Sequence, residues 1–431
     1  MSGDEKWRRR FQRKAVSVEE ARRLILQYAA VMDAEQVRLE QSFGRVCAER
    51  VAAAEPVPHF RRSGMDGYAV RAEDLAGATP QEPALLRVIE SVPCGTVPAL
   101  AITPGTAAKI MTGAMVPEGA DAVVMIEMTE LAGHEAQAAA EAGGRAAAVV
   151  AVKKPVPAGA NVSAVGSDHP AGELLLAAGA RIGAAEAALL ASAGRSTVAV
   201  YRRPRIGILS TGTELLPIDA PLAPGKIRNS NAYMIAAQVR SAGGEPVIGT
   251  AVSDEPAALS ESIEQLLESC DAVITTGGVS VGDYDILTDY LHEWSGTLLF
   301  TKVMMRPGSP TSAGVHRGKL LFALSGNPGA CFAGFELLVR PALQAMLGSA
   351  AAEPSPFSAI LAADFPKVNA YPRYIRGRSW IEQTAVYVEP MGADQSSRMY
   401  PGKGADCFIM IPPGGSGLPK GTVVSAIRIQ T

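Results

Sequence analysis

The stretch DAVITTGGVSVGDYDIL, residues 271–287, places a glycine bend after a short apolar run and then supplies acidic side chains. Gly277 and Gly278 stand at the bend, and Asp283 and Asp285 follow it. Glycines allow backbone N–H groups to face a phosphate, whereas carboxylates would repel a phosphate unless a hard cation lies between them. The pattern therefore indicates a polyanion site that also holds a divalent metal ion.

Four further stretches of this kind follow apolar runs in the second half of the chain. They are STGTEL (210–215), SDEP (253–256), RPGSP (306–310) and SGNPGA (325–330). Any one of them alone is more typical of a turn, but ligands of open α/β sheets bind where the strands end. We therefore expect Glu214, Asp254 and Asp285 to hold Mg²⁺ at one edge of a sheet. Lys302 and Arg306 would lie beside the phosphates.

Composition and missing motifs exclude several classes of protein. The glycines match neither the P-loop nor the G-x-G-x-x-G pattern, which argues against a P-loop ATPase and a usual NAD domain. The five cysteines and five histidines are scattered, which disfavours disulfides, a zinc site and a Cys/His nucleophile. Forty basic and 43 acidic side chains nearly cancel, so no nucleic acid is expected as partner. With no apolar run of about 18 residues and no secretory leader, we expect a cytoplasmic protein without membrane contact.

The expected site must be positioned by the elements around it. Between residues 204 and 348, strand-like runs alternate with helical segments. This alternation predicts a three-layer α/β/α domain with a mainly parallel sheet. Residues 51–154 consist of short β-like pieces, and residues 354–431 of short strands that suggest a small antiparallel barrel. Ser17 and Glu20 form a capping box ahead of a first helix.

A second cluster of polar residues lies in the β-rich part. Asp66 stands between Met65 and Gly67 in FRRSGMDGYAV, and Thr112 precedes Gly113 in KIMTGAMVPEG. Polar residues in such turns either cap the backbone or take part in catalysis. The residues themselves leave both readings open.

Taken together, the chain resembles the molybdopterin molybdenumtransferase family, whose animal relative is the C-terminal domain of gephyrin. The resemblance rests on MDGYAV, MTGAMVPEGADAVV, PAGANVSAVGSD, STGTEL, TTGGVSVGDYD and LSGNPGA, and runs from about residue 15 to the C-terminus. It implies a multidomain α/β plus β fold. The implied domains are a helical spine (1–50 and 155–203), a β-rich lid (51–154), an α/β molybdopterin-binding domain (204–348) and a C-terminal β-barrel (354–431). It also implies a homodimer whose sites combine one subunit's α/β domain with the other's lid.

The resemblance implies a reaction in which molybdate joins the dithiolene sulfurs of adenylylated molybdopterin. The phosphoanhydride is hydrolysed with Mg²⁺ or Zn²⁺ as cofactor, and AMP leaves to give molybdenum cofactor. A molybdopterin adenylyltransferase-type protein and molybdoenzyme maturation factors are the implied partners. Two alternatives stay open, namely a catalytically weakened scaffold that binds pterin and a molybdopterin adenylyltransferase.

Position by position, the resemblance assigns roles to individual residues. Those assigned to catalysis are Asp66, Thr112, Asp168 and Asp254. Glu214 and Asp285 are assigned to the metal ion, with Asp254 and Asp66 as orienting or water-activating groups. The residues assigned to the pterin and phosphates are Ser210, Thr211, Gly212, Gly277, Gly278, Ser280, Lys302, Arg306, Ser325, Gly326, Asn327 and Pro328.

Three positions depart from the usual pattern of the family. This chain has Gly166-Ser167-Asp168 in place of G-E-D, RPGSP in place of K-P-G-K-P, and Arg61-Arg62-Ser63 where an Asn-Ser pair is common. The changes remove a carboxylate and cationic groups from their usual places. We predict that Arg61 and Arg62 restore part of the lost attraction for an oxyanion; the alternative is that both face solvent.

Overall fold

A computed structural model describes residues 15–132, 148–252, 255–278, 296–367, 370–392 and 396–429. The chain divides into two compact units. The sheet-and-barrel unit comprises Met1–Glu49, Ala178–Ala187 and Thr197–Thr431, and the insert unit comprises Arg50–Ala177 and Ala188–Ser196. Across the described ranges, no helix is both long and apolar enough to cross a membrane.

The Ser17 half of the predicted capping box is confirmed at the start of α1 (Val18–Leu26), which follows β1 (Ala15–Val16) and precedes β2 (Ala34–Arg38). The hydroxyl oxygen of Ser17 accepts a hydrogen bond from the backbone N–H of Glu20 at 3.1 Å. This bond satisfies one of the N–H groups that a helix leaves unpaired in its first turn. The buried face of α1 packs into the main hydrophobic core of the sheet-and-barrel unit.

The insert unit is rich in β-structure, as expected. Its strands are β3 (Val51–Ala52), β4 (Arg62–Ser63), β5 (Gly67–Val70), β6 (Ala84–Val92), β7 (Thr106–Ile110), β8 (Ala122–Met125), β9 (Thr129–Ala132), β10 (Val149–Val152), β11 (Val162–Ser163) and β12 (Leu174–Leu176). Six form one sheet in the order β8-β5-β7-β6-β10-β9, and the others pair as β11-β4 and β12-β3. All four residues of β5 are buried, because a hydrophobic cluster covers each face of the sheet.

The chain continues through α2 (Ala184–Ser192) into β13 (Thr197–Tyr201), which pairs antiparallel with β2. The strands that follow are β14 (Arg205–Ser210), β15 (Leu215–Leu216), β16 (Ile227–Arg228), β17 (Glu245–Ile248), β18 (Ala272–Thr276), β19 (Thr297–Phe300), β20 (Lys302–Val303), β21 (Ser312–His316) and β22 (Lys319–Leu324). Six form a sheet in the order β17-β14-β18-β22-β21-β19. The first four are parallel, which confirms the mainly parallel sheet. The antiparallel edge contains β21, a strand that the alternation did not predict.

Helices cover both faces of this sheet. They are α3 (Asn231–Ser241), α4 (Pro256–Ser269), α5 (Pro328–Gly334) and α6 (Arg340–Met346), and the π-helical turn Phe335–Val339 joins the last two. One hydrophobic cluster joins α1, α3, α5 and α6 to one face, and a second joins α4 to the other. The three-layer arrangement is therefore confirmed. Strands buried on both faces are mostly apolar, as are Ala272–Ile274 of β18 and Leu320–Leu324 of β22.

The C-terminal barrel is also confirmed. Its strands are β23 (Pro356–Leu361), β24 (Arg373–Glu382), β25 (Ala385–Pro390), β26 (Cys407–Ile411) and β27 (Val423–Arg428). They close in the order β23-β25-β24-β26-β27 around a core of their own. The expectation of a purely antiparallel barrel is wrong, because β23 and β25 pair in parallel. The four-domain boundaries remain a prediction.

A buried ion pair lies where the π-helical turn meets α6. Arg340 Nε and Nη2 donate to the two carboxylate oxygens of Glu336 at 2.6 and 2.9 Å. Gln238 Nε2 donates to the same carboxylate at 2.8 Å, and Arg340 Nη2 also donates to the Ser241 hydroxyl at 2.7 Å. Breaking a buried pair by removing one partner leaves an uncompensated charge, whereas replacing both with apolar residues is often neutral.

We expect Arg340→Met to lower the local free energy of unfolding by about 3–5 kcal/mol, because it leaves Glu336 buried without its cation. The double variant Glu336→Leu/Arg340→Met should lose much less. Hydrogen exchange of the amides in α6 and β22 measures both losses in the intact protein. Equal losses in the two variants would show that the isolated carboxylate is not the cause.

Candidate active site

A cleft of about 960 Å³ opens at the carboxyl ends of β14, β18 and β22. Parallel strands end at the same edge of a sheet, and this is where open α/β sheets bind ligands. The structure brings most of the expected binding residues together in this cleft. They are Ser210, Thr211, Gly212, Gly277, Gly278, Lys302, Arg306, Ser325, Gly326, Asn327 and Pro328, together with Glu214.

The floor of the cleft is so tightly built that Gly277 has no room for a side chain. The backbone N–H of Thr211 donates to the Thr276 carbonyl at 2.9 Å, and that of Gly277 donates to the Leu324 carbonyl at 3.2 Å. A Cβ on Gly277 would lie 2.3 Å from the carbonyl oxygen of Thr211. The φ of Gly277 is +98°, a backbone conformation that residues with a side chain rarely adopt. The loop therefore presents bare backbone at the place where a phosphate was expected.

Two asparagines at the start of α3 connect the strand ends. Asn229 Oδ1 accepts a hydrogen bond from the Ser210 hydroxyl at 3.0 Å. Asn231 Nδ2 donates to the Thr276 hydroxyl at 2.9 Å and to the Gly326 carbonyl at 2.8 Å. Sequence reasoning treated this segment only as a helix. The available signal was a pair of side-chain amides at a helix start, where asparagine commonly bonds to nearby backbone.

Basic side chains dominate the walls of the cleft. Lys302, Arg306, Arg373 and Arg228 line it, whereas Glu214 is the one carboxylate among the described lining residues. A concave surface lined mostly by one sign of charge attracts ligands of the other sign. The cleft is therefore suited to a polyanion.

The barrel supplies part of this wall. The backbone N–H of Arg306 donates to the Pro372 carbonyl at 2.9 Å, and that of Tyr374 donates to the Arg306 carbonyl at 2.8 Å. The RPGSP loop and the start of β24 are thereby joined. Lys302 Nζ also lies 5.3 Å from the centre of the Tyr371 ring. The lining residues from the barrel segment were not predicted: Tyr371, Arg373, Ser396 and Ser397.

The expected metal ligands are only partly described. Glu214 lies in the cleft with its carboxylate close to the backbone of Gly212. A Cβ added to Gly212 would lie 2.5 Å from Glu214 Oε2. Asp254, Ser280 and Asp285 lie outside the described residues. Within the described ranges, no group of three His, Cys, Asp or Glu side chains could hold a metal ion. The metal assignment remains a prediction.

Asp66 and Thr112 contact each other in the insert unit. Asp66 Oδ1 accepts hydrogen bonds from the Thr112 backbone N–H at 2.6 Å and from its hydroxyl at 2.8 Å. Both bonds lower the pKa of Asp66, and the bond from the Thr112 backbone N–H has the larger effect. The carboxylate is therefore ionised at neutral pH. The next residue must be glycine, because a Cβ on Gly67 would lie 1.8 Å from the Val124 carbonyl oxygen on β8.

Asp168 has no described contact with this pair. The backbone N–H of Gly64, which follows β4, donates to the carbonyl of Asn161, which precedes β11. The backbone N–H of Asp168, which follows β11, donates to the carbonyl of Val57, which precedes β4. Because β4 and β11 are antiparallel, the loops carrying Asp66 and Asp168 leave opposite ends of the strand pair. The catalytic role of Asp168 remains a prediction.

The two arginines ahead of Asp66 differ in their surroundings. Arg61 Nη1 donates to the Ala120 carbonyl at 2.9 Å, and Nη2 donates to the Pro117 carbonyl at 3.3 Å. Arg61 is half-buried, and these two bonds join its guanidinium to a loop of the insert unit; its proposed attraction for an oxyanion stays a prediction. Arg62 is exposed, and its proposed attraction for an oxyanion stays a prediction.

Comparison with known families covers nearly the whole chain. Residues 16–194 match the MoeA N-terminal region (domain I and II), residues 207–345 match a probable molybdopterin binding domain, and residues 358–429 match the MoeA C-terminal region (domain IV).

Full-length relatives agree with these matches. The molybdopterin molybdenumtransferase of Bacillus subtilis strain 168 is 40% identical over 418 residues, covering 97% of this chain and 95% of the relative. That of Staphylococcus epidermidis strain RP62A is 36% identical over 420 residues, covering 97% of each. Two crystal structures of a molybdopterin biosynthesis MoeA protein from Pyrococcus horikoshii are 30% identical, with TM-scores of 0.78 and 0.80. They align with 96% of this chain and with 99% and 100% of theirs. This chain belongs to the molybdopterin molybdenumtransferase family.

Proposed function

We propose that this protein inserts molybdate into adenylylated molybdopterin. The dithiolene sulfurs take up molybdenum, the phosphoanhydride is hydrolysed, and AMP is released together with molybdenum cofactor. The observation that carries this proposal is the cleft, in which glycines, hydroxyls and amides at three strand ends face basic side chains. A pterin joined to AMP through a pyrophosphate is a polyanion that such a surface would attract.

The two alternatives fit less well. An adenylyltransferase would act through the α/β domain alone, whereas here the barrel segment contributes Tyr371 and Arg373 to the cleft. A scaffold without turnover would leave the exposed Asp66 carboxylate, which Thr112 holds in one orientation, without a use. Membership of the family along the whole chain favours the transferase over both.

Substrate binding would divide between the floor and the wall of the cleft. The backbone N–H groups of Gly278 and Gly326 and the side-chain amide of Asn327 would face the pyrophosphate oxygens, since the Gly277 N–H already donates to the Leu324 carbonyl. Lys302, Arg306 and Arg373 line the same cleft and would neutralise phosphate charge and attract molybdate, which is itself an oxyanion. Ser280 is proposed to extend this set from the segment beyond Gly278.

The donors of the cleft suit Mg²⁺ better than Zn²⁺. The described lining offers the Glu214 carboxylate and the Ser210 hydroxyl, and it contains no cysteine or histidine. Mg²⁺ prefers oxygen ligands and shares them with substrate phosphates, whereas Zn²⁺ favours sulfur and nitrogen. Glu214 and Asp285 would hold the ion. When bound, it would neutralise phosphate oxygens and stabilise the departing AMP.

The acidic residues outside the metal set would act on water. Asp66 uses Oδ1 for both hydrogen bonds from Thr112, which fixes the orientation of the carboxylate. Its Oδ2 would accept a proton from, or orient, the water that attacks the phosphoanhydride. Thr112 positions Asp66, and Asp254 and Asp168 are proposed to complete the orientation of water and substrate.

A homodimer would bring these groups to the substrate, with one subunit's lid facing the other's cleft. Three exposed apolar side chains surround the Asp66–Thr112 pair: Met65, Met111 and Ile126. An apolar rim around a polar centre is typical of a surface that is covered in the working assembly. The adenylylated substrate would come from an adenylyltransferase-type protein, and the product would pass to molybdoenzyme maturation factors, all in the cytoplasm.

The direct test is a reconstituted reaction. Purified protein, adenylylated molybdopterin, Mg²⁺ and molybdate should yield AMP in an amount equal to the cofactor formed. AMP is measured by chromatography, and cofactor by reconstitution of an apo-molybdoenzyme. Consumption of ATP without AMP release from the adenylylated substrate would instead indicate the adenylyltransferase.

We expect Glu214→Gln to slow AMP release at least about 100-fold at limiting Mg²⁺, because the amide is neutral and a weaker ligand for a hard cation. Part of the loss should return at high Mg²⁺. Asp219→Asn is the matched control, since Asp219 is an exposed carboxylate five residues away that does not line the cleft. A Mg²⁺ dependence unchanged from that of the control would contradict the role of Glu214.

We expect Thr112→Val to shift the acid limb of the pH–rate profile for AMP release to higher pH. The variant removes the hydroxyl bond that helps to lower the pKa of Asp66 and keeps the backbone bond. The pKa of Asp66 therefore rises toward its ordinary value, and the carboxylate loses its charge at less acidic pH. Thr96→Val, at an exposed threonine of the same unit, serves as control. An acid limb that stays in place would count against Asp66 as the ionised group.

A further inference from the structure

The amide of Asn231 joins two loops that are far apart in sequence. It donates to the Thr276 hydroxyl at the end of β18 and to the Gly326 carbonyl after β22. The Thr276 hydroxyl in turn donates to the Ser325 carbonyl at 3.2 Å. This side chain thus reinforces the bonds of Thr276 and Gly277 that join the two backbone stretches proposed to cradle the pyrophosphate, and it is the group that holds the Gly326 carbonyl.

The orientation of this amide follows from its partners. A carbonyl oxygen can only accept, so the NH₂ group of Asn231 must face Gly326. Its Oδ1 is buried and has no donor among the described residues. A buried acceptor without a partner costs about 1–3 kcal/mol. Asn231 therefore makes its contacts through its two side-chain N–H bonds, while its Oδ1 is left without a hydrogen-bond donor among the described residues.

The two loops lie close enough for a small displacement to matter. A Cβ on Gly326 would be 3.3 Å from the Cα of Gly277. Gly277 is itself held by its bond to the Leu324 carbonyl. Releasing Gly326 would therefore change the shape of the floor without displacing any side chain of the cationic wall.

We propose that Asn231 is a positioning residue that sets the separation between the Gly277–Gly278 bend and residues 325–327, and thereby the affinity for adenylylated molybdopterin. This inference rests on the proposed function. Asn229 plays a separate part, because it bonds to Ser210 at the end of β14. A change at Asn231 leaves that bond in place.

The variant Asn231→Asp tests the proposal with almost no change of shape. The Thr276 hydroxyl can reverse and donate to the new carboxylate, whereas the Gly326 carbonyl would face an oxygen that cannot donate. We expect the KM for adenylylated molybdopterin to rise about tenfold or more, which corresponds to about 1.4 kcal/mol. The molybdate concentration at half-saturation should stay within about twofold. Arg240→Ala, at an exposed residue of the same helix, should leave both values unchanged.

A purely structural role gives a different result. It would reduce the fraction of folded protein and so lower kcat, while the KM of the remaining enzyme stayed the same; that outcome overturns the proposal. Asn231→Ala, which adds no charge, should raise the KM in the same direction. An unchanged KM in this variant would likewise overturn the proposal.

A binding measurement separates this inference from the proposed reaction. The Kd for AMP, measured by calorimetry, should rise about tenfold in Asn231→Asp whether or not turnover occurs. Wild-type protein that binds AMP without turnover would count against the reaction alone. Wild-type protein that does not bind AMP would overturn both.

Discussion

Three parallel strands end side by side, and their backbones meet with no side chain between them. This contact at Gly277 is the constraint on which the cleft depends, because a Cβ there would lie 2.3 Å from the Thr211 carbonyl oxygen. Parallel strands need helices on both faces, so the sheet itself offers no open surface to a ligand. Its carboxyl edge is the place where backbone groups can reach solvent. The order of the strands in the sheet, β14-β18-β22, therefore decides which three loops form the binding floor.

Charge then determines what this floor can hold. Four basic side chains and one carboxylate line the described cleft, and such an excess of cations favours phosphate or molybdate over a neutral ligand. The insert unit has the opposite character, since its polar centre is the ionised Asp66 with an apolar rim. A carboxylate is of little use for binding an anion, but it can orient water. In the proposed reaction, the cleft would bind the substrate and Asp66 of the insert unit would act on the attacking water.

The sequence predicted those features that local interactions determine. The capping box at Ser17, the strand–helix alternation and the glycine bends depend on neighbours within a few residues, and they are found as expected. The sequence did not predict that Arg373 lines the cleft or that Asn231 bonds to two loops, because both features depend on contacts between residues that are at least 45 positions apart. The loop contacts of Arg61 escape prediction for the same reason, since its carbonyl partners lie 56 and 59 residues away. Long-range contacts of this kind leave no periodic signal in a single sequence.

In the RPGSP loop, serine stands at the position of a lysine that is usual in the family, and this serine forms a hydrogen bond within the loop region. Where the family usually has a second lysine, the hydroxyl of Ser309 donates to the Val303 carbonyl at 2.9 Å and closes the loop on itself. Positive charge is nevertheless retained, because Arg306 and Arg373 both line the cleft, and a parallel β-bridge joins their backbones at the start of β24. The bridge fixes two guanidinium-bearing residues side by side at the rim of the cleft. An arginine presents several N–H donors in a planar fork, whereas a lysine is a point charge. The backbone bridge therefore holds Arg306, on the RPGSP loop, next to Arg373, at the first strand position of β24, so the barrel supports this part of the cleft wall.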